Sequence, residues 1–512
     1  MNNSKEQQNN KRIAKNTLLL YLRTFIVMVV GLLTSRVNLR SLGVEDYGIF
    51  NVVGGLVVMF SSLSGALSMA ISRFLTFELG RNDQKTLKLV YSTSIIIQVM
   101  MAAAIIVLAE TVGLWFLNAK MVIPDDRLGA ANWVFQFAMI SFVVSFLNVP
   151  HTASIVSHER MDAFAYFSIF DVLIRLLIAY LTYIAAGDKL VFYASLHCMS
   201  SFFLYLLYTF YCRRKFVECH FSFIWDKKTL KRMFSFAGWN FIGSTSFVLK
   251  DQGGNMLINL FSGPAVNAAR GIAMQVNNAV YTFVTNFTTA LNPQITKNYA
   301  AGDYEYMKRL IFKGARFSFY ILLLISIPII VNTEFIVQLW LGQIPEHTLS
   351  FIRLVLVFSL NECLAIPLST AMMATGKIRN YQLSVGVMQL MNIPLSYVAL
   401  KLGAPVESVF IIMIIVSVIC VFLRLYNLKI QISFPLGEFV NKVYLNVLCV
   451  ATLSALLPFA LHLVLPHDLI GTLLSCLVSV ISSSIVIMYV GCSTSERKTI
   501  VNNVASKMPF RK

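Results

Sequence analysis

The sequence predicts an all-α polytopic membrane protein with about 14 transmembrane helices. They form two parallel pseudo-repeated six-helix bundles around a central cavity, plus two C-terminal helices. Three observations carry this. Of 512 residues, 57% are hydrophobic and 13% charged, where a soluble domain is about half apolar and about a quarter charged. The mean hydropathy is +0.71, which excludes an ordinary soluble enzyme and a disordered chain. Apolar runs of about 20 residues recur from end to end, each long enough to cross a hydrocarbon core about 30 Å thick. Finally, 42 Lys and Arg face 24 Asp and Glu, a net charge of +18, and the basic residues are unevenly spread among the connections.

The runs are continuous rather than alternating, so they are helices and not barrel strands. The first, 17–39, is too long for a signal-peptide core, carries Arg23 and has no clear small-residue cleavage site, so it reads as an anchor. Next come 48–70, 89–116 and 129–150, the last ending at Pro150. Span 163–186 holds Asp171 and Arg175, and 190–212 closes the first set of six. Span 234–260 contains Lys250 and Asp251, and 267–292 carries a polar stripe. The remaining spans are 314–340, 350–374 with Glu362, 381–401, 407–428, 442–464 and 470–490. Between Val443 and Ser495 the one Asp, Glu, Lys or Arg is Asp468, so the last two helices read as largely lipid-facing.

With the N-terminus in the cytoplasm, the inner connections hold 31 of the 42 basic residues. The outer loops hold five: Arg40, Lys120, Arg127, Lys189 and Lys401. That asymmetry places both termini inside. Topology and anionic headgroups account for most of the basic excess, so nucleic-acid binding is not needed to explain it. None of the eight cysteines falls in an outer loop, so no disulfide framework is expected. Cys212, Cys219 and His220 lack a second ligand pair for a metal. No phosphate-binding loop, H-E-x-x-H or G-x-S-x-G occurs, and the longest outer loop is 117–128. A non-enzyme without a cofactor is expected.

The chain repeats weakly at an offset of about 220. Asn38-Leu39 is echoed by Asn259-Leu260, and Gly80 with Asp83 by Gly302 with Asp303. Pro150 and the turn at His158-Glu159-Arg160 are echoed by Pro367 and Thr375-Gly376-Lys377. A six-helix unit keeps its orientation when repeated, which implies parallel bundles. The expected division is 1–212, 213–428 and an accessory segment 429–512.

With Arg316, Arg424 and Lys442 at span ends counted among the inner connections and Lys401 among the outer loops, six basic residues remain inside spans: Arg23, Arg36, Arg175, Lys250, Arg270 and Arg353. An ionisable group in hydrocarbon costs at least about 2.5–3.5 kcal/mol, which makes each a candidate for function. Arg23 and Arg36 point about 140° apart on one helix, and Arg36 is close enough to the outer surface to snorkel. Lys250 and Asp251 lie deep in their span. Asp171 and Arg175, at i and i+4, are expected to pair. Glu362 has no basic residue at i±3 or i±4, which suggests a lone, protonated acid. Arg270 and Arg353 start their spans at the outer interface. The stripe Asn278, Thr282, Thr285, Thr289 and Asn292 either joins helices or lines a wet cavity.

Leu42-Gly43-Val44-Glu45-Asp46-Tyr47-Gly48, the preceding Ser35-Arg36, and Arg73-Phe74 leading to Gly80 resemble the polysaccharide-export flippases (O-antigen, Wzx type) of the multidrug/oligosaccharidyl-lipid/polysaccharide superfamily. The 6 + 6 + 2 layout extends the resemblance along the chain. It implies alternating-access transfer of an undecaprenyl-pyrophosphate-linked oligosaccharide across the bacterial inner membrane, with H⁺ or Na⁺ as coupling ion. The partners it implies are that lipid-linked substrate, membrane lipids, a glycan polymerase and glycosyltransferases. Under it, Arg23, Lys250 and Arg36 hold the pyrophosphate. With Arg270, Asn278 and Asn292 they make up the substrate set, and Asp251, Asp171 or Glu362 relays the ion. Two relatives within the superfamily differ. Peptidoglycan-precursor flippases carry an adjacent Arg-Asp pair in helix 1, whereas Arg23 here precedes Thr24. Multidrug extruders usually have an acid in helix 1, and span 1 here has none.

Overall fold

The computed structural model describes residues 2–58, 61–119, 123–224, 226–341, 344–464, 466 and 468–498. In chain order the helices are α1 (Asn2–Val58), α2 (Ser61–Arg81), α3 (Gln84–Leu108), α4 (Leu114–Ala119), α5 (Leu128–Leu147), α6 (Val149–Ser157), α7 (Met161–Ile184), α8 (Lys189–Lys215) and α9 (Lys227–Ala300). They continue as α10 (Tyr304–Val331), α11 (Thr333–Leu341), α12 (Thr348–Glu362), α13 (Ala365–Thr375), α14 (Arg379–Leu390), α15 (Asn392–Lys401), α16 (Ser408–Ile432), α17 (Leu436–Phe439), α18 (Asn446–His462) and α19 (Leu469–Val486). The fold is all-α, as the continuous apolar runs require where no water can satisfy a backbone amide. Among the described residues, 11 helical stretches are long and apolar enough to cross a membrane, so the chain is a multi-pass membrane protein. The expected spans 48–70, 234–260 and 267–292 are also helical wherever described, but lie outside those 11. The latter two carry Lys250, Asp251, Arg270 and a run of amides and hydroxyls.

Aspartates start several helices. Asp83 accepts from the Thr86 amide at 3.1 Å, Asp188 from Leu190 and Val191, Asp226 from Lys228 and Thr229, and Asp468 from Gly471 at 2.7 Å. Each satisfies amides that the first helical turn leaves orphaned.

The repeat is visible in the backbone. α1 breaks at Gly43 (φ 79°, ψ 174°) and α9 at Gly263 (φ 81°, ψ 179°), 220 positions apart and in the same conformation. α2 ends with Asn82 in the left-handed region and an Asp83 amide bonded to the Glu78 carbonyl. α9 ends with Gly302 and an Asp303 amide bonded to Asn298, again 220 on. The residue that corresponds to Gly302 is therefore Asn82 rather than Gly80, because only the C-terminal turn needs the positive φ. Glu159 and Gly376 share positive φ at an offset of 217, as Pro150 and Pro367 share a place after a helix break. Gly187 and Gly403 close the pattern at 216.

Contacts divide the chain into two compact units, Met1–Ser244 with Thr296–Asp303, and Thr245–Ile295 with Tyr304–Lys512. In the first, the start of α9 packs on α2. Asn240 donates to the Ala66 carbonyl at 3.3 Å, Phe236 meets Phe74 edge-on, and Arg232 reaches Glu78. The segment after Ile295 joins this unit through Lys297, which binds the buried Glu159 at 2.6 Å beside Arg12 at 3.2 Å. In the second unit α10 is central, packed by α12, α13, α18 and α19. The final helices dock through buried Ser475, Ser479 and Ser483 on α19, whose small side chains allow close approach. Leu473, Leu477 and Ile481 of α19 are exposed, as a lipid-facing surface requires.

Candidate cation and carboxylate sites within the spans

Lys250 is a buried cation of the second unit. It sits on α9 at 6% exposure, with Nζ 4.2 Å from the Phe247 ring centroid and 4.8 Å from that of Phe358 on α12. Among the described residues no carboxylate lies within ion-pair distance of it. Two aromatic faces supply part of the missing solvation, worth about 2 kcal/mol where a cation is desolvated.

Asp251 is one residue on and so turned about 100° away. It accepts from Arg270 at 2.6 Å, and Arg270 also donates to the Asp251 carbonyl at 3.0 Å and to Asn255 at 3.2 Å. This fork spans the break at Gly263 and fastens the two arms of α9 together. Arg270 is therefore a buried, paired residue and not a free interfacial one. Arg353, by contrast, is exposed and donates to the Thr333 hydroxyl at 3.3 Å.

Glu362 is not a lone acid. Arg424 of α16 donates to its Oε1 at 3.1 Å, and Ser417 to its Oε2 at 2.7 Å. Arg424 is 4% exposed, so it belongs to the membrane-buried charges and not to the inner connections where the span count left it. Its partner lies 62 positions away, outside any i±4 search. Asn361 extends the network, donating to Ser417 at 2.8 Å and accepting from Tyr444 at 3.0 Å.

The polar stripe of α9 splits in two. Asn278 and Thr285 are exposed and Thr282 and Thr289 half-buried; all three threonine hydroxyls bond carbonyls four residues back on their own helix. Helix joining falls to the stripe's Asn292, which accepts from Thr370 of α13 at 2.9 Å, and to Asn277 outside it, which accepts from Ser359 of α12. Sequence periodicity could not separate these faces, since amides and hydroxyls occur on both.

In the first unit, Arg23 lies over the Phe164 ring at 4.8 Å. It lines a cavity of about 260 Å³ with Asn148, Asp171, Arg175 and Tyr208. The expected Asp171–Arg175 pair forms at 3.0 Å, and both remain partly open to the cavity. The side chain of Arg36 lies outside the described residues.

Outside the spans, the segment after Gly43 contributes Asp46. Arg127 binds it through two nitrogens and reaches Asp188 at 3.1 Å. Burial alone would raise the Asp188 pKa, but the Val191 amide, Arg127 and the Leu190 amide outweigh it and hold the carboxyl below its ordinary range. The second unit places His347 against Glu407 at 2.7 Å at the corresponding turn.

Residues 253–398 match the MatE family model. "Uncharacterized membrane protein EpsK" of Bacillus subtilis (strain 168) is 20% identical over 280 residues, 54% of this chain and 55% of that protein. The match thus spans about half the length of that relative. An outward-facing multidrug resistance MATE family transporter of the MOP superfamily is 13% identical, with a TM-score of 0.70 over 82% of this chain and 96% of that one. MATE in the bent conformation gives 14% and 0.70 over 84% and 96%. A MOP superfamily transporter from Pyrococcus furiosus, described as having a binding pocket of reversed polarity, gives 14% and 0.68 over 83% and 96%. The chain thus has the fold of the MATE transporters, and its residues 253–398 are similar to the MatE family.

Proposed function

We propose that this chain is a flippase for an undecaprenyl-pyrophosphate-linked oligosaccharide in the bacterial cytoplasmic membrane, with both termini in the cytoplasm. The observation that carries the reading is Lys250: a buried cation held by Phe247 and Phe358, with the nearby acids committed to Arg270 and Arg424. A cation solvated by rings rather than by a carboxylate is suited to an anionic cargo, since a pyrophosphate brings the counter-charge with it. Arg23, over Phe164, repeats the motif in the first unit. The exposed Asn278 and Thr285 offer hydroxyl and amide groups of the kind that sugars bind. Asp171, open to the Arg23 cavity, is the proposed site for H⁺ or Na⁺. The six-helix repeats 1–212 and 213–428 are the proposed moving parts, with 429–512 accessory to them. A glycan polymerase and glycosyltransferases would be its partners.

Lys250→Met should abolish surface glycan in a strain that depends on this gene while the protein remains in the membrane, and Lys250→Arg should retain part of it. Full display by Lys250→Met, Arg23→Met and the double variant would sink the cationic reading. The second reading is a multidrug or metabolite extruder, favoured by the MatE match itself. In that case deletion would change sensitivity to cationic toxins and leave glycans intact.

A further inference from the structure

The second unit contains a pocket of about 660 Å³ away from Lys250 and Glu362, formed by the start of α10, the turn after α17 and the end of α19. Its bases are Lys308, Arg309, Lys313 and Arg316 on α10, and Lys442 across from them; its acids are Glu305 and Glu438. Lys308 pairs with Glu305 at 2.9 Å, Lys442 with Glu438 at 2.9 Å, and Arg316 with Glu496 at 2.6 Å. With Arg309 and Lys313, one turn apart, the described lining holds five bases against two acids.

The pocket is built rather than incidental. Arg316 also donates to the Gly491 carbonyl at 3.1 Å, and Tyr320 one turn deeper donates to that carbonyl at 2.9 Å, so α10 is fastened to the turn that follows α19. Phe312 forms one wall, packed against Phe434 and Phe439. Beside it Leu445, Tyr489 and Val490 are exposed. The site therefore joins a cationic mouth to apolar surface at the point where α10 passes from its polar first turns into its apolar span. The charge asymmetry assigns that end to the cytoplasm.

We propose that this pocket binds the phosphate of an anionic phospholipid of the inner leaflet, with its acyl chains along Leu445 and Val490. Basic recesses between helices at the cytoplasmic surface suit such headgroups, because Lys and Arg there are attracted to anionic lipid. The site is independent of whatever cargo the spans carry.

Native mass spectrometry of the full chain in detergent, titrated with phosphatidylglycerol, phosphatidylcholine or glycerol 3-phosphate, tests it. Phosphatidylglycerol should bind at least about tenfold more tightly than phosphatidylcholine. The variant K308Q/R309Q/K313Q should lose at least about tenfold of that affinity. The charge-keeping R309K/K313R should retain it, as should K227Q/K228Q/K231Q, which removes three charges from the start of α9. Equal binding of the two lipids would overturn the proposal, and so would equal losses in the two triple variants. Glycerol 3-phosphate binding as tightly as phosphatidylglycerol would assign the pocket to soluble phosphates and overturn the lipid assignment.

Discussion

The Glu362–Arg424 pair gives the sharpest test of how the second unit is held together. Arg424 is 4% exposed, and its guanidinium meets Glu362 at 3.1 Å. Removing one member of such a pair strands the other in a desolvated site and costs about 3–5 kcal/mol. In a unit of this size 1 kcal/mol moves the melting midpoint by about 2–4 °C. Arg424→Met and Glu362→Gln should therefore each lower it by roughly 6–20 °C. Glu362→Gln also weakens the bond from Ser417, worth about 1 kcal/mol. The double variant leaves no stranded charge and should regain at least half of the larger single loss. Thermal challenge of a fluorescent fusion, read by size-exclusion chromatography in detergent, completes the double-mutant cycle. Additive losses, or single variants within about 2 °C of the parent, would refute the claim that the two charges depend on each other.

Gly263→Ala should destabilise by about 1–3 kcal/mol, because its φ of 81° with ψ of 179° is open essentially to glycine alone. Gly271→Ala, in open helical surroundings, should be neutral in the same melting assay. Gly80→Ala would set its Cβ 2.6 Å from the Lys297 carbonyl oxygen. It should separate α2 from the end of α9, seen as faster hydrogen exchange at 296–303 than in the parent. Asp188 has a depressed pKa, so its contribution is complete above the unfolded carboxyl value near ~4 and disappears as pH falls through the lower folded value. Asp188→Asn should flatten the acid limb of melting midpoint against pH, and an unchanged limb would remove Asp188 as its source.

Two kinds of information are separable here. The helical spans were legible in the sequence because each is a property of a local window, and the internal repeat was legible in part. Twenty apolar residues must be helical in hydrocarbon wherever they lie, whereas the matching breaks at Gly43 and Gly263, and the match of Gly302 to Asn82 rather than Gly80, came from the backbone. The i, i+4 pair Asp171–Arg175 was legible for the same reason, being fixed by the helix itself. Charge pairing across helices was not. Asp251 and Lys250 are neighbours in sequence, yet one binds Arg270 and the other rests on Phe358. Glu362, with no base within a turn, finds Arg424 on another helix. Which buried charge is neutralised and which is left to aromatic rings depends on the faces that packed helices present, and tertiary structure alone decides that.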